Sequence, residues 1–131
     1  MERKVLQPPG VAPPRGQYSH AFRVEGAQRL LFIAGQVPVD AQGRLVGAGD
    51  PAAQARQALE NLRSILKDAG GELGHVVKTT LFLTDLAHRG AVNEVRREFF
   101  PQDPPPNSLL VVKSLANPEF LVEIEAIAAL P

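Results

Sequence analysis

The chain has 131 residues, with 14 lysines and arginines against 14 aspartates and glutamates, and no cysteine. That length suits a single domain over residues 1–131 with one core. The charge balance removes any overall field that would draw the chain onto nucleic acid or an acidic membrane, and the missing cysteines exclude disulfides, thiolate metal sites and cysteine nucleophiles. The N-terminal MERKVLQPPG lacks the apolar core of a secretory signal, and no apolar run approaches the ~20 residues of a membrane span, so the chain reads as soluble and cytoplasmic.

Four prolines and two glycines in VLQPPGVAPPRGQ make residues 1–15 an extended, turn-rich lead. Tyr18 to Val24 and Arg29 to Val37 read as two strands around a polar connection at Glu25 to Gln28, which predicts a hairpin. The second strand, RLLFIAGQV, is apolar on both sides until Gly35, a residue that in a strand marks a bulge or a close approach to the backbone. Asp50 and Pro51 announce a helix as N-cap and first-turn proline, Ala55, Ala58, Leu59, Leu62 and Leu66 recur at helical spacing, and Gly70 and Gly71 stop it. His75 to Thr84 is β-branched and apolar enough for a third strand, and Asp85 stands before a second helix from Ala87 to Phe100.

The end of the chain, Pro104 to Ala128, reads as two strands joined by a turn at Asn117 and Pro118. On the last strand Val122, Ile124, Ala126 and Ala128 share one face, and Glu123 and Glu125 share the other, roughly 6 to 7 Å apart. Acids are depleted in strands, so the pair is either a solvated outer face or a site carboxylate with a neighbour. The order ββαβαββ predicts an α+β fold, one mixed sheet with both helices packed on a single face. Its other face would then carry Leu109, Val111 and Leu115, enough apolar surface to predict self-association.

Several chemistries find no support in the residue pattern. His20, His75 and His88 show no i, i+4 pairing, so no metal site is expected. Gly43, Gly47 and Gly49 lack the lysine and hydroxyl of a phosphate loop, and no serine stands in a nucleophile elbow. With no tryptophan and one tyrosine, base stacking has little to work with. What remains is Tyr18, the Gly35-Gln36 step, Asn93, Ser108 and the two glutamates, of which Glu123, if partly buried in a cleft, would have a raised pKa and could relay protons or activate water.

GQYSHA (16–21), LFIAGQVPVD (31–40), QARQALENLRSILKDAGG (54–71), VVKTTLFLTDL (76–86), VNEVRREFF (92–100) and VEIEAIA (122–128) together resemble the RidA family, also called YjgF or L-PSP. The resemblance runs in order over nearly the whole chain. It implies a chorismate-mutase-like fold and a homotrimer with small-molecule clefts between subunits. It also implies cofactor-independent hydrolysis of enamines and imines to keto acids and ammonia.

Carried over residue by residue, it makes Glu123 the catalytic acid/base and Tyr18, Ser108 and Gly35 parts of the substrate site. The family's P-A-R-S motif is Pro105, Pro106, Asn107 and Ser108 here, so Asn107 stands where an arginine would grip a substrate carboxylate. Losing such a charged fork costs about 2 to 5 kcal/mol when its partner is buried. Gln17 and His20 replace a proline and a glutamine beside the tyrosine, and Arg96 stands where the family often has an aromatic residue. Arg96, Lys113 and His20 are the cations that could compensate. The resemblance therefore implies an imine or enamine deaminase with altered substrate choice, or alternatively a non-catalytic trimer that binds a metabolite. An endoribonuclease reading is disfavoured by the neutral charge and sparse aromatics.

Overall fold

The computed structural model describes residues 1–131. The chain forms strands β1 (Glu2–Leu6), β2 (Ala21–Glu25) and β3 (Arg29–Gln36), helix α1 (Pro51–Asp68), strand β4 (Val76–Leu83), helix α2 (Arg89–Phe99), and strands β5 (Asn107–Val111) and β6 (Val122–Leu130). The main sheet has the order β3-β6-β4-β5, with β5 parallel to β4 and the other pairs antiparallel. No helix is long and apolar enough to cross a membrane.

Three strand pairings differ from expectation. The lead is not wholly without partners, because Glu2–Leu6 pairs antiparallel with β2, and Arg3 lies over the Phe22 ring at 4.5 Å. The β2–β3 hairpin is therefore not formed. β2 spends its ladder on β1, while β3 turns away after Gly26, at φ 73, and pairs with β6.

The last two strands are not a hairpin either. Helix α2 carries the chain from β4 to β5 as a parallel crossover, and residues 112–121 then bring β6 back between β3 and β4. β6 suits that central place because Val122, Ile124, Ala126 and Ala128 are all buried against the helices.

Helix α1 begins as its sequence dictates. Asp50 Oδ1 accepts from Ala53 N at 3.1 Å, Pro51 follows, and Gly70 at φ 79 ends it. Asp85 instead caps the short 3₁₀ turn before α2, accepting from Ala87 N at 2.8 Å. Ala55, Leu59, Leu62 and Leu66 of α1 meet Val92, Val95 and Phe99 of α2 over Ile33, Leu81 and Ile124 of the sheet. Each of those large side chains contributes about 1.5 to 3 kcal/mol on burial. Leu109 packs on this same core, so it does not belong to the open face. That face instead exposes Leu30, Phe32 (74% exposed) and Leu110, with Val111 exposed at the end of β5. Fully buried Gln54 ties the far loops to α1: its Nε2 donates to Gly47 O and Glu119 O, and its Oε1 accepts from Leu121 N at 2.7 Å.

Candidate functional site

The β3–β6 register breaks between Ile33 and Gln36, so Ala34 and Gly35 leave the ladder. Gly35 is both a bulge and a close approach. A Cβ there would sit 1.9 Å from Glu123 Oε1 and 2.7 Å from its Cδ, so the glutamate side chain occupies the notch that the glycine leaves. Half-burial in that notch pushes the Glu123 carboxyl above the usual carboxylate range, and the charge of exposed Glu125 pushes it the same way.

The face they share is the one that the helices leave open. Across it Phe82 pairs with Glu123 and Thr80 with Glu125. Lys78 donates from Nζ to Ser108 Oγ at 2.8 Å, and a cavity of about 300 Å³ opens among Phe32, Ala34, Lys78, Thr80, Glu125 and Ile127.

Asn107 faces the other way. It pairs with buried Thr79, whose Oγ1 donates to Asn107 Oδ1 at 2.8 Å beneath the sheet. There it joins Tyr18, Asn93, Arg96, Arg15 and Arg89 around a second cavity of about 620 Å³ between β5, α2 and the segment before β2. That segment is pinned in place: Gln17 Nε2 donates to Phe100 O at 2.8 Å, Ser19 Oγ to Pro104 O at 2.6 Å, and His20 Nε2 to Ala12 O at 2.6 Å. Tyr18 and His20 therefore lie in a loop rather than at the start of β2, their rings edge to face at 5.6 Å.

Arg96 is 2% exposed; its Nη1 donates to Asn93 Oδ1 at 2.9 Å, and its Nη2 is buried without a partner. Burial pushes its pKa down to about 10.

The residues singled out from the sequence thus fall in two places. Glu123, Gly35 and Ser108 lie on the open face, while Tyr18 and Asn107 line the cavity on the helix side with Arg96. Lys113 is exposed and lines neither cavity. Sequence reasoning missed Arg89, Arg15 and Lys78. Arg89 had a signal, since Arg89, Asn93 and Arg96 stand at i, i+4 and i+7 on one helical face.

The sequence model of the family described as Endoribonuclease L-PSP matches residues 10–130. The chain belongs to the L-PSP family. Among its relatives, the 3-aminoacrylate deaminase RutC of Acinetobacter baylyi is 35% identical over 128 residues, covering 98% of each chain. A conserved Rid-family protein of unknown function, YyfB from Yersinia pestis, is 37% identical with a TM-score of 0.89, over 99% of this chain and 100% of that one. RidA from an Antarctic Psychrobacter is 31% identical with a TM-score of 0.73, over 97% and 99%. Two helices on one face of a mixed sheet are the fold that this L-PSP chain shares with them.

Proposed function

We propose that the chain is a cofactor-independent hydrolase of imines or enamines, working as a homotrimer with its sites between subunits. The observation that carries this reading is Glu123 seated in the Gly35 notch, a carboxyl with a raised pKa beside an open face. A carboxyl so seated keeps its proton to higher pH than a free one and can exchange it with water and substrate. For an enamine, the protonated carboxyl gives its proton to the β-carbon, leaving an iminium. Water adds to the C=N carbon and loses a proton to the carboxylate. The C–N bond then breaks as C=O forms, the hydroxyl proton passes to nitrogen, and ammonia leaves with the carboxyl protonated again. The relative named as a 3-aminoacrylate deaminase supports this class of reaction.

Where the two halves lie supports the assembly. Asn107 is level with Thr79 on the helix side, whereas Glu123 is level with Phe82 on the open side, three residues or about 10 Å further along the strand. One chain does not bring them together. A second copy whose open face meets the first can do so, and it would cover Leu30, Phe32 and Leu110 as well.

Ammonia release from 2-aminoacrylate, generated in situ and compared for wild type and Glu123→Ala, tests the chemistry; equal rates would sink the role of Glu123. Sedimentation tests the trimer. The second reading, a trimer that holds a metabolite without turnover, is favoured by the absence of any acid in the larger cavity. It predicts ligand-dependent thermal stabilisation with no ammonia release.

A further inference from the structure

The cavity between α2, β5 and the segment before β2 has a volume of about 620 Å³ and is lined by three arginines and no aspartate or glutamate. In a chain whose formal charges cancel, that is a concentrated positive field in a concave place. The three cations differ in depth. Arg96 is buried, forms no ion pair, and has an Nη2 with no partner. Arg15 and Arg89 are exposed at the rim and take no part in the ion pairs that occupy Arg23, Arg44, Arg56, Arg63 and Arg97.

The neutral groups add to the same pattern. Asn93 Oδ1 is taken by Arg96 and Asn107 Oδ1 by Thr79, so each amide has its NH₂ left to offer. A buried charge without a counter-ion is costly unless a ligand completes it, and the guanidinium fork matches a carboxylate.

We infer that this cavity selects substrates with two anionic groups, one held deep by Arg96 with the Asn107 amide and the other at the rim by Arg15 and Arg89. The substrate class is then the imine or enamine of a dicarboxylic acid rather than of a monocarboxylic one. For its chemistry this rests on the hydrolase reading; for binding it rests on the cavity alone. The reaction is unchanged, since the second carboxylate takes no part in breaking the C–N bond.

Two five-carbon acids that differ only in the terminal group, 2-oxoglutarate and 2-oxopentanoate, separate the effects when titrated calorimetrically at low salt. Wild type is expected to bind 2-oxoglutarate about tenfold more tightly, the gap narrowing as salt rises. The double variant Arg15→Ala/Arg89→Ala brings 2-oxoglutarate to the level of 2-oxopentanoate. Arg96→Met loses both while its melting temperature stays equal or rises, and Arg96→Lys, keeping the charge without the fork, recovers part of the binding. Equal affinity of wild type for the two acids overturns the inference, as does undiminished binding by Arg96→Met.

Turnover of the imines made by an amino-acid oxidase from glutamate and norvaline distinguishes the two ideas. Tighter binding of 2-oxoglutarate with no hydrolysis of either imine overturns the hydrolase and upholds the anion selection. Hydrolysis of both imines at equal kcat/KM, with equal binding, overturns the selection and upholds the hydrolase.

Discussion

Gly35→Ala isolates the seat of Glu123 from the carboxylate itself. The added Cβ would lie 1.9 Å from Glu123 Oε1, 2.7 Å from Cδ and 2.8 Å from Cγ, far inside contact distance. Gly35 is not among the residues with positive φ, so alanine fits the backbone and the three closest conflicts all fall on the glutamate side chain. That side chain ends at an open face and can swing away, at about 0.5 to 1.5 kcal/mol for a poorer rotamer. Replacing glycine returns about 0.4 to 1 kcal/mol by restricting the unfolded chain.

The two nearly cancel, so the melting temperature should move by no more than about 4 °C. The carboxyl, displaced by more than an ångström, should lose its contribution to proton transfer, lowering kcat on 2-aminoacrylate by about 100-fold or more. Ammonia release and a thermal melt on the same preparation read both quantities. A variant with wild-type kcat/KM would refute the argument that this notch positions a working carboxyl.

Glu125→Gln removes one of the two causes that raise the Glu123 pKa, so the limb of the kcat/KM profile that reports Glu123 should move to lower pH; an unmoved limb contradicts the coupling. A raised carboxyl favours the folded state only when protonated, a contribution present below about pH 4.5 and lost as pH rises through the folded value. Glu123→Gln should therefore raise the melting temperature at neutral pH, with the gain closing in acid. Arg96→Met removes a guanidinium whose pKa burial pushes down to about 10, a penalty present at every pH below that value and worth about 3 kcal/mol. Allowing for the lost Asn93 bond, urea unfolding should show about 2 kcal/mol of added stability, and a destabilised variant would mean that Arg96 is structural. Gln54→Leu strands Gly47 O, Glu119 O and Leu121 N, and should cost about 3 kcal/mol in the same assay; a cost under about 1 would show that water replaces the amide.

Local features were legible because they carry their own physics. Asp50-Pro51 and the leucine spacing define α1, the alternation of Val122 to Ala128 defines the buried face of β6, and Gly35 marks the bulge of β3. Long-range choices were not. β1 is charged, without alternation, and its partner β2 begins fifteen residues after it ends, so nothing local distinguishes a strand from a lead. The larger loss concerns parity: Asn107 and Ser108 are neighbours in sequence, and in a strand that puts them on opposite faces. A motif carried over as one unit is therefore split between two sides of the sheet. Arg96 was visible as a departure from the family, but its burial depends on α2 docking beside β5 and could not be read from the helix alone.

The split itself provides the most demanding test of the proposed assembly. If each site combines Glu123 of one copy with Arg96 and Asn107 of the next, then Glu123→Ala and Arg96→Met are defects in different partners. Each variant alone has no complete site. Unfolded together and refolded as an equal mixture, they assort at random around the ring. A complete site then needs the Arg96→Met chain as glutamate donor and the Glu123→Ala chain as cavity donor, a chance of one half each. About a quarter of wild-type specific activity should return in the mixture. A chain that worked alone, or a trimer whose sites lay within single copies, would return nothing, because no chain in the mixture carries both groups. Restored ammonia release therefore depends on the distance between the two faces of one sheet being bridged by a neighbour. A mixture as inactive as its components would place the reacting groups within one chain and overturn the shared site.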